Sequence, residues 1–243
     1  NTGVDNGDAP IELFLVDGQE VRSFPDLEQL GGIQFVHAAE GAGNVNVNVN
    51  GTGPENKVPF GDAWPGNGLV EYELLASGDI DLKITNTASN DVNNNVRIDR
   101  GRGVTAALVE DAETDGDFDA IVLENDDRTV ATNGRVRIVH ALSGNQSPVD
   151  VFLVPKGDAI SEDGTVDSSL VSGLGYLKRS GYLPVPRMEN DYDLVVTPEG
   201  TSDTELLRET ISLSNGRNWR LILAGNGGQN DPQFRLIEVG GVR

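Results

Sequence analysis

Short runs in which apolar side chains occupy every second residue, separated by clusters of Gly, Asn, Asp and Pro, recur along this chain. Val45, Val47 and Val49 alternate with Asn44, Asn46, Asn48 and Asn50, and Ile80, Leu82 and Ile84 share one face in the same way. A period of two is what a half-buried strand requires, because successive side chains point to opposite faces. Strands are predicted over 11–16, 33–37, 45–49, 69–75, 80–85, 96–99, 104–110 and 120–124. A second series covers 136–141, 149–154, 182–185, 192–197, 206–213, 219–224 and 234–239. Residues 21–32 read as a connector, 51–68 and 155–180 as long surface loops, 69–75 with 80–85 as a hairpin, and Asn93-Asn-Asn95 as a break. No long window carries the helical period of about 3.6 residues. The expectation is an all-β chain of antiparallel β-sandwiches, Ig-like or transthyretin-like.

Within that pattern one unit occurs twice. Ile33-Gln-Phe-Val-His-Ala-Ala39 followed by Asn44 to Asn50 corresponds to Val136-Arg-Ile-Val-His-Ala-Leu142 followed by Pro148-Val-Asp-Val-Phe-Leu-Val154, placing the two histidines 140 − 37 = 103 residues apart. A period of that size predicts two tandem sandwich modules, 33–130 and 131–243, after an N-terminal strand and connector over 1–32. A third motif, Ile-Glu-Leu-Phe-Leu-Val at 11–16, resembles the segments around Ala120–Glu124 and Phe234–Val239. Three copies of this strand serve two copies of everything else. The surplus strand either doubles up on its own module, remains from a lost upstream module, or adds to the sheet of a neighbouring subunit.

Charge narrows the function. With 39 acidic against 18 basic residues, a formal charge of −21 and a pI near 4.2, the chain repels phosphate backbones, so nucleic acid is excluded as a partner. No run approaches the roughly 20 apolar residues that a membrane-spanning helix needs. The charge suits either a saline habitat or an ordinary acidic exoprotein. There is no cysteine, which is compatible with bacterial secretion, and the first residue is Asn1, which fits a chain already processed or a fragment of something longer.

The pattern Arg-Val-Arg-Ile-Val-His-Ala, a Pro-containing link, Val-Asp-Val-Phe-Leu-Val, then Gly181-Tyr-Leu-Pro-Val and Tyr192-Asp-Leu-Val-Val-Thr-Pro198 resembles the bacterial and archaeal domain-of-unknown-function family 4397. The likeness is strongest over Arg135 to Val239 and weaker over 33–124, where Asn46 stands in place of Asp150. It implies tandem β-sandwich modules in secreted or envelope-attached proteins, with no established catalytic residues.

Candidate chemistry is sparse. His37 and His140 lie on strand faces that also carry Ile33 and Phe35, or Val136 and Ile138, and so read as structural. One histidine per module and no cysteine leave no zinc cluster, and the Gly-x-Ser-x-Gly nucleophile pattern is absent. The run Asp111-Ala-Glu-Thr-Asp-Gly-Asp-Phe-Asp119 sets Asp111, Glu113, Asp115 and Asp117 at the early ligand positions of a calcium loop, with Asp119 nearby. Val122 replaces the closing glutamate, so Ca²⁺ is the one cofactor to test against a plain solvated turn. Asn44, Asn46 and Asn48 form a row of amides about 7 Å apart that suits sugar hydroxyls or simply water. Trp64 suits stacking on a sugar ring or folding back over the sandwich. The sequence thus predicts a non-enzymatic structural or adhesive protein of the cell surface or exterior, self-associating by edge-strand addition. The alternative is a glycan-binding or calcium-dependent recognition module using the long loops.

Overall fold

Two burial patterns sort the strands into two kinds of sheet. In the computed structural model, which describes residues 12–17, 20–25, 30–53, 57–65, 72–85, 91–111, 116–125, 134–160, 169–185, 191–213, 217–225 and 234–240, the strand Gly78–Thr85 buries Ile80, Leu82 and Ile84 and exposes Asp79, Asp81 and Lys83. Gly103–Glu110 and Asn218–Gly225 are instead buried almost throughout. A strand covered on one face alternates, and one covered on both reads as a continuous apolar run.

After a hairpin of β1 (Glu12–Asp17) and β2 (Glu20–Pro25), the first half contains β3 (Leu30–His37), β4 (Asn46–Val49), β5 (Ala63–Trp64), β6 (Glu73–Ala76), β7 (Gly78–Thr85), β8 (Val92–Ile98), β9 (Gly103–Glu110) and β10 (Phe118–Glu124). The second half contains β11 (Gly134–Leu142), β12 (Val149–Pro155), β13 (Ser169–Leu174), β14 (Leu183–Val185), β15 (Tyr192–Pro198), β16 (Leu207–Ile211), β17 (Asn218–Gly225) and β18 (Arg235–Val239). The chain is all-β, as its alternation implies. An outer sheet β4-β7-β8 packs on an inner sheet β10-β9-β3-β5, with β6 also on β3; an inner sheet β14-β11-β17-β18 packs on an outer sheet β13-β12-β15-β16. Among the described residues no helix is long and apolar enough to cross a membrane.

The pairing differs from a purely antiparallel sandwich at one place in each half. β3 runs parallel to β9, with Ile33 opposite Val104, and β11 runs parallel to β17, with Val136 opposite Trp219. Parallel neighbours need a long crossover, and here each outer sheet supplies it. Other expectations shift for local reasons. Residues 73–76 form no hairpin with β7 but pair with β3, and the chain changes sheet beside Gly78, whose φ of 146° suits glycine. Asn93–Asn95 do not interrupt β8: Asn93 and Asn95 face solvent, while Asn94 donates to the Ala120 carbonyl at 3.2 Å. β2 lies in the stretch read as connector, and β13 in the stretch read as loop. β1, the surplus strand, pairs antiparallel with β2 from Glu12↔Pro25 to Asp17↔Glu20, in a sheet of its own.

A third core lies between the two inner sheets. Val36, Ala38, Ala107 and Val109 meet Val139, Ala141, Ile222 and Ala224, with Leu123, Ile237 and Val239 around them. These are matching positions of the repeat, since 139 − 36 and 141 − 38 both equal 103, while 222 − 107 and 224 − 109 both equal 115. A contact made by the same patch from each side is isologous. The four sheets therefore stack as outer, inner, inner, outer.

The edge strand β10 is capped from outside its sheet. Its alternate carbonyls at Ala120, Val122 and Glu124 accept hydrogen bonds from Asn94 Nδ2 at 3.2 Å, Arg179 Nη1 at 3.3 Å and Arg137 Nη1 at 2.6 Å. Two of those donors belong to the second half. Unpaired edges invite further strands, and side-chain capping blunts them.

Ile222 is fully buried between the halves. Ile222→Ala is expected to cost about 2–5 kcal/mol and to lower one shared thermal transition. Calorimetry in which only a second-half transition moved would contradict a shared cooperative block.

Candidate functional site

Each histidine staples a loop to the first strand of its inner sheet. His37 is fully buried; its Nε2 donates to the Gly43 carbonyl and its Nδ1 accepts the Ala39 N–H at 3.4 Å. His140 repeats this with the Ser147 carbonyl at 3.0 Å and the Leu142 N–H at 3.3 Å. Bonding to a carbonyl at Nε2 and to an amide at Nδ1 fixes the neutral Nε2–H tautomer. An aromatic edge closes over each ring, Phe60 at 6.1 Å from His37 and Tyr176 at 5.6 Å from His140. The loops carrying those aromatics both pass through left-handed backbone, at Gly61 with φ 86° and at Leu177 with φ 57°. Leucine tolerates that region at a cost of about 1 kcal/mol. Burial holds both imidazoles below the ordinary 6.5, partly offset by their carbonyl partners and, for His37, by Asp62.

The other sequence-derived residues are dispersed over the surface. Asn44 and Asn46 are exposed and Asn48 half-buried, on the outer face of β4 and its approach, with Asn46 opposite Thr85 and Asn48 opposite Lys83. Trp64 is half-buried, pairs with Phe35 and packs against the first core, ahead of a cis peptide bond to Pro65. Asp111 and Asp117 close a turn through the Asp111 N–H and the Asp117 carbonyl at 2.9 Å, and Asp119 accepts the Ala120 N–H at 2.7 Å. Glu113 and Asp115 lie outside the described residues. Among the described residues no group of three potential metal ligands converges. Asp150, where the first half has the exposed Asn46, is buried and accepts from Ser172 Oγ at 2.9 Å and from the N–H groups of Gly173 at 2.7 Å and Gly200 at 2.8 Å. It ties β13 and the turn at Gly200 to β12.

A buried polar network lies where the halves meet, and the sequence reading missed it. Gly32 and Gly103 are opposite one another across the parallel pair, and a Cβ on either would lie 2.7 Å or 2.5 Å from Tyr72. The tyrosine occupies that space. Its hydroxyl accepts from Asn125 Nδ2 at 2.8 Å and from Arg220 Nη1 at 3.3 Å. Arg220 is fully buried and donates also to Gln34 Oε1 at 3.3 Å and the Gly240 carbonyl at 2.9 Å. A buried guanidinium needs such partners to offset its lost hydration. Beside this network opens a cleft of about 360 Å³ whose wall includes Arg97, Asp99, Arg102 and Glu124 from the first half and Arg137 and Arg179 from the second. The guanidinium of Arg137 stacks 4.1 Å from the Tyr182 ring centroid, with Arg135 at 5.1 Å. Arg137 is the counterpart of Gln34 across the repeat, again 137 − 34 = 103. No spacing in the sequence marks these residues. Only the docking of the halves collects them.

The family described as "Domain of unknown function (DUF4397)" matches residues 31–152, and the chain belongs to it. The match starts in β3, takes in the whole first half and ends in β12, so it includes the half with the weaker visible likeness. No curated protein matches the chain. Among solved structures, a carbohydrate-binding module of family CBM26 from Eubacterium rectale, in complex with maltoheptaose, is 13% identical, covering 79% of this chain and 91% of that chain with a TM-score of 0.28. Likeness at that score carries no weight for ligand or function.

Because the folded imidazoles titrate below 6.5, the unfolded chain takes up protons first as pH falls. The stability they confer is complete above that value and is lost as pH drops through the lowered folded range. The melting temperature is expected to fall between about pH 7 and pH 5, and to fall less in the His37→Gln/His140→Gln double variant. An identical pH slope in the double variant would remove the histidines as its source.

Proposed function

We propose that this protein is a non-enzymatic structural or adhesive element of the cell exterior, secreted or held at the envelope. The carrying observation is the isologous core between the inner sheets, which makes a stiff four-layer block of the two halves. His37, His140, Asp150 and Arg220 are committed to that block. Among the described residues both imidazoles hydrogen-bond backbone groups, Asp150 secures β13 and the Gly200 turn, and Arg220 bonds groups inside the seam. A charge of −21 favours a dispersed protein where salt screens self-repulsion, which suits an exterior setting.

Assembly by strand addition is the finer part of this reading. The β1–β2 hairpin joins neither sandwich, so among the described strands both of its edges are unpaired. Association followed by sedimentation from micromolar to millimolar concentration should weaken at least about tenfold when residues 1–25 are removed. A full chain that stays monomeric across that range excludes self-assembly. The competing recognition reading draws support from one feature, the arginine-bearing cleft at the seam.

A further inference from the structure

We propose that the seam cleft binds the carboxylate of a sugar acid, a ligand of the uronic acid class. The inference stands independently of the structural reading above. Over the whole chain acidic residues outnumber basic ones 39 to 18, yet among the described residues the cleft wall carries Arg97, Arg102, Arg137 and Arg179 with two carboxylates, Asp99 and Glu124. Among those described lining residues the charge balance of the chain is reversed. A guanidinium offers paired N–H donors that match a carboxylate in one plane.

Two of the arginines are held in place before any ligand arrives. Arg137 is fixed by its bond to the Glu124 carbonyl and by stacking on Tyr182, and Arg179 by its bond to the Val122 carbonyl. Preorganised donors bind more tightly because less side-chain freedom is lost. Arg97 is turned toward Asp79 and Asp99 at 3.4 Å and 3.6 Å, with most of its side chain exposed. The Arg102 side chain is exposed and has no partner among the described residues. It is the cation most available to a ligand.

The two carboxylates decide what kind of anion fits. Asp99 and Glu124 would repel a compact dianion such as phosphate, but they accept hydrogen bonds from hydroxyl groups. Guanidinium groups for one carboxylate, with acidic acceptors for ring hydroxyls, together describe a hydroxy acid of sugar size. The cleft volume, about 360 Å³, lies within the range of small-molecule sites. Half of the cationic wall comes from each half of the chain, so the site exists only in the docked tandem.

Calorimetric titration of the full chain with D-glucuronate, D-glucose and inorganic phosphate tests this, at an ionic strength of about 20 mM so that screening does not mask the contact. Glucuronate is expected to saturate one site, while glucose and phosphate bind at least about tenfold more weakly. Arg102→Glu should weaken glucuronate at least about tenfold with an unchanged melting temperature, since this exposed side chain supports no packing. Arg97→Glu provides a second charge reversal in the cleft wall. A trigalacturonate that binds more tightly than the monosaccharide assigns the site to a polymer chain, and equal affinity assigns it to a free sugar acid. Absent glucuronate binding, equal binding of phosphate, or unchanged affinity in both folded variants overturns the proposal.

Discussion

Everything in this fold depends on burying the backs of the two inner sheets against each other. The strands β3, β9, β11 and β17 carry apolar side chains on both faces, and one face of each would meet water if the halves separated. Val36, Val109, Leu123, Val139, Ile222, Ile237 and Val239 alone represent a gross gain on the order of 10 kcal/mol. That is comparable to the whole net stability of an ordinary domain, about 5–15 kcal/mol. The central layer is built from smaller side chains than its neighbours. Five alanines line it, whereas Phe35, Leu82, Leu194 and Trp219 fill the flanking cores.

An all-apolar seam would be simpler, but this one contains Gln34, Thr105, Asn125 and Arg220, all buried. The group is largely satisfied from within: Thr105 and Asn125 exchange hydrogen bonds at 2.9–3.3 Å, Asn125 reaches Tyr72, and Arg220 reaches Tyr72, Gln34 and Gly240. Polar groups in a dry interface are costly unless matched, so they penalise any other alignment of the sheets. The apolar contact supplies attraction, and the polar cluster fixes register. The cleft opens at the rim of that same cluster, where Arg137 replaces the glutamine of the first half.

Alternation and the 103-residue period made the strands and the outer faces legible, because those properties are local. The valines of 45–49 point inward and their asparagines outward or to the sheet rim, as period two requires. Continuous apolar runs such as Val104–Val109 were also visible, and a run of that kind implies cover on both faces. What covers the second face is not a local property. Only the positions shared by Val36 and Val139 reveal that the unit covers itself. Sheet assignment failed where sequence neighbours part company, as at 73–76 and 78–85, since a glycine turn between two strands signals a hairpin even when the strands join different sheets. Arg97, Arg102, Arg137 and Arg179 carry no motif, and their convergence follows from tertiary docking alone.

The self-matching contact also bears on how such a chain arose. A single copy of the unit would leave an alanine- and valine-lined back uncovered and two β10 carbonyls, Val122 and Glu124, without the donors that now reach them. An ancestor of half this length would have met both needs by forming a homodimer through the same patch. Joining two copies by a linker converts that encounter into an intramolecular one, independent of dilution. Covalently joined copies are free to differ, and here they do at one matching position, Gln34 in the first and Arg137 in the second.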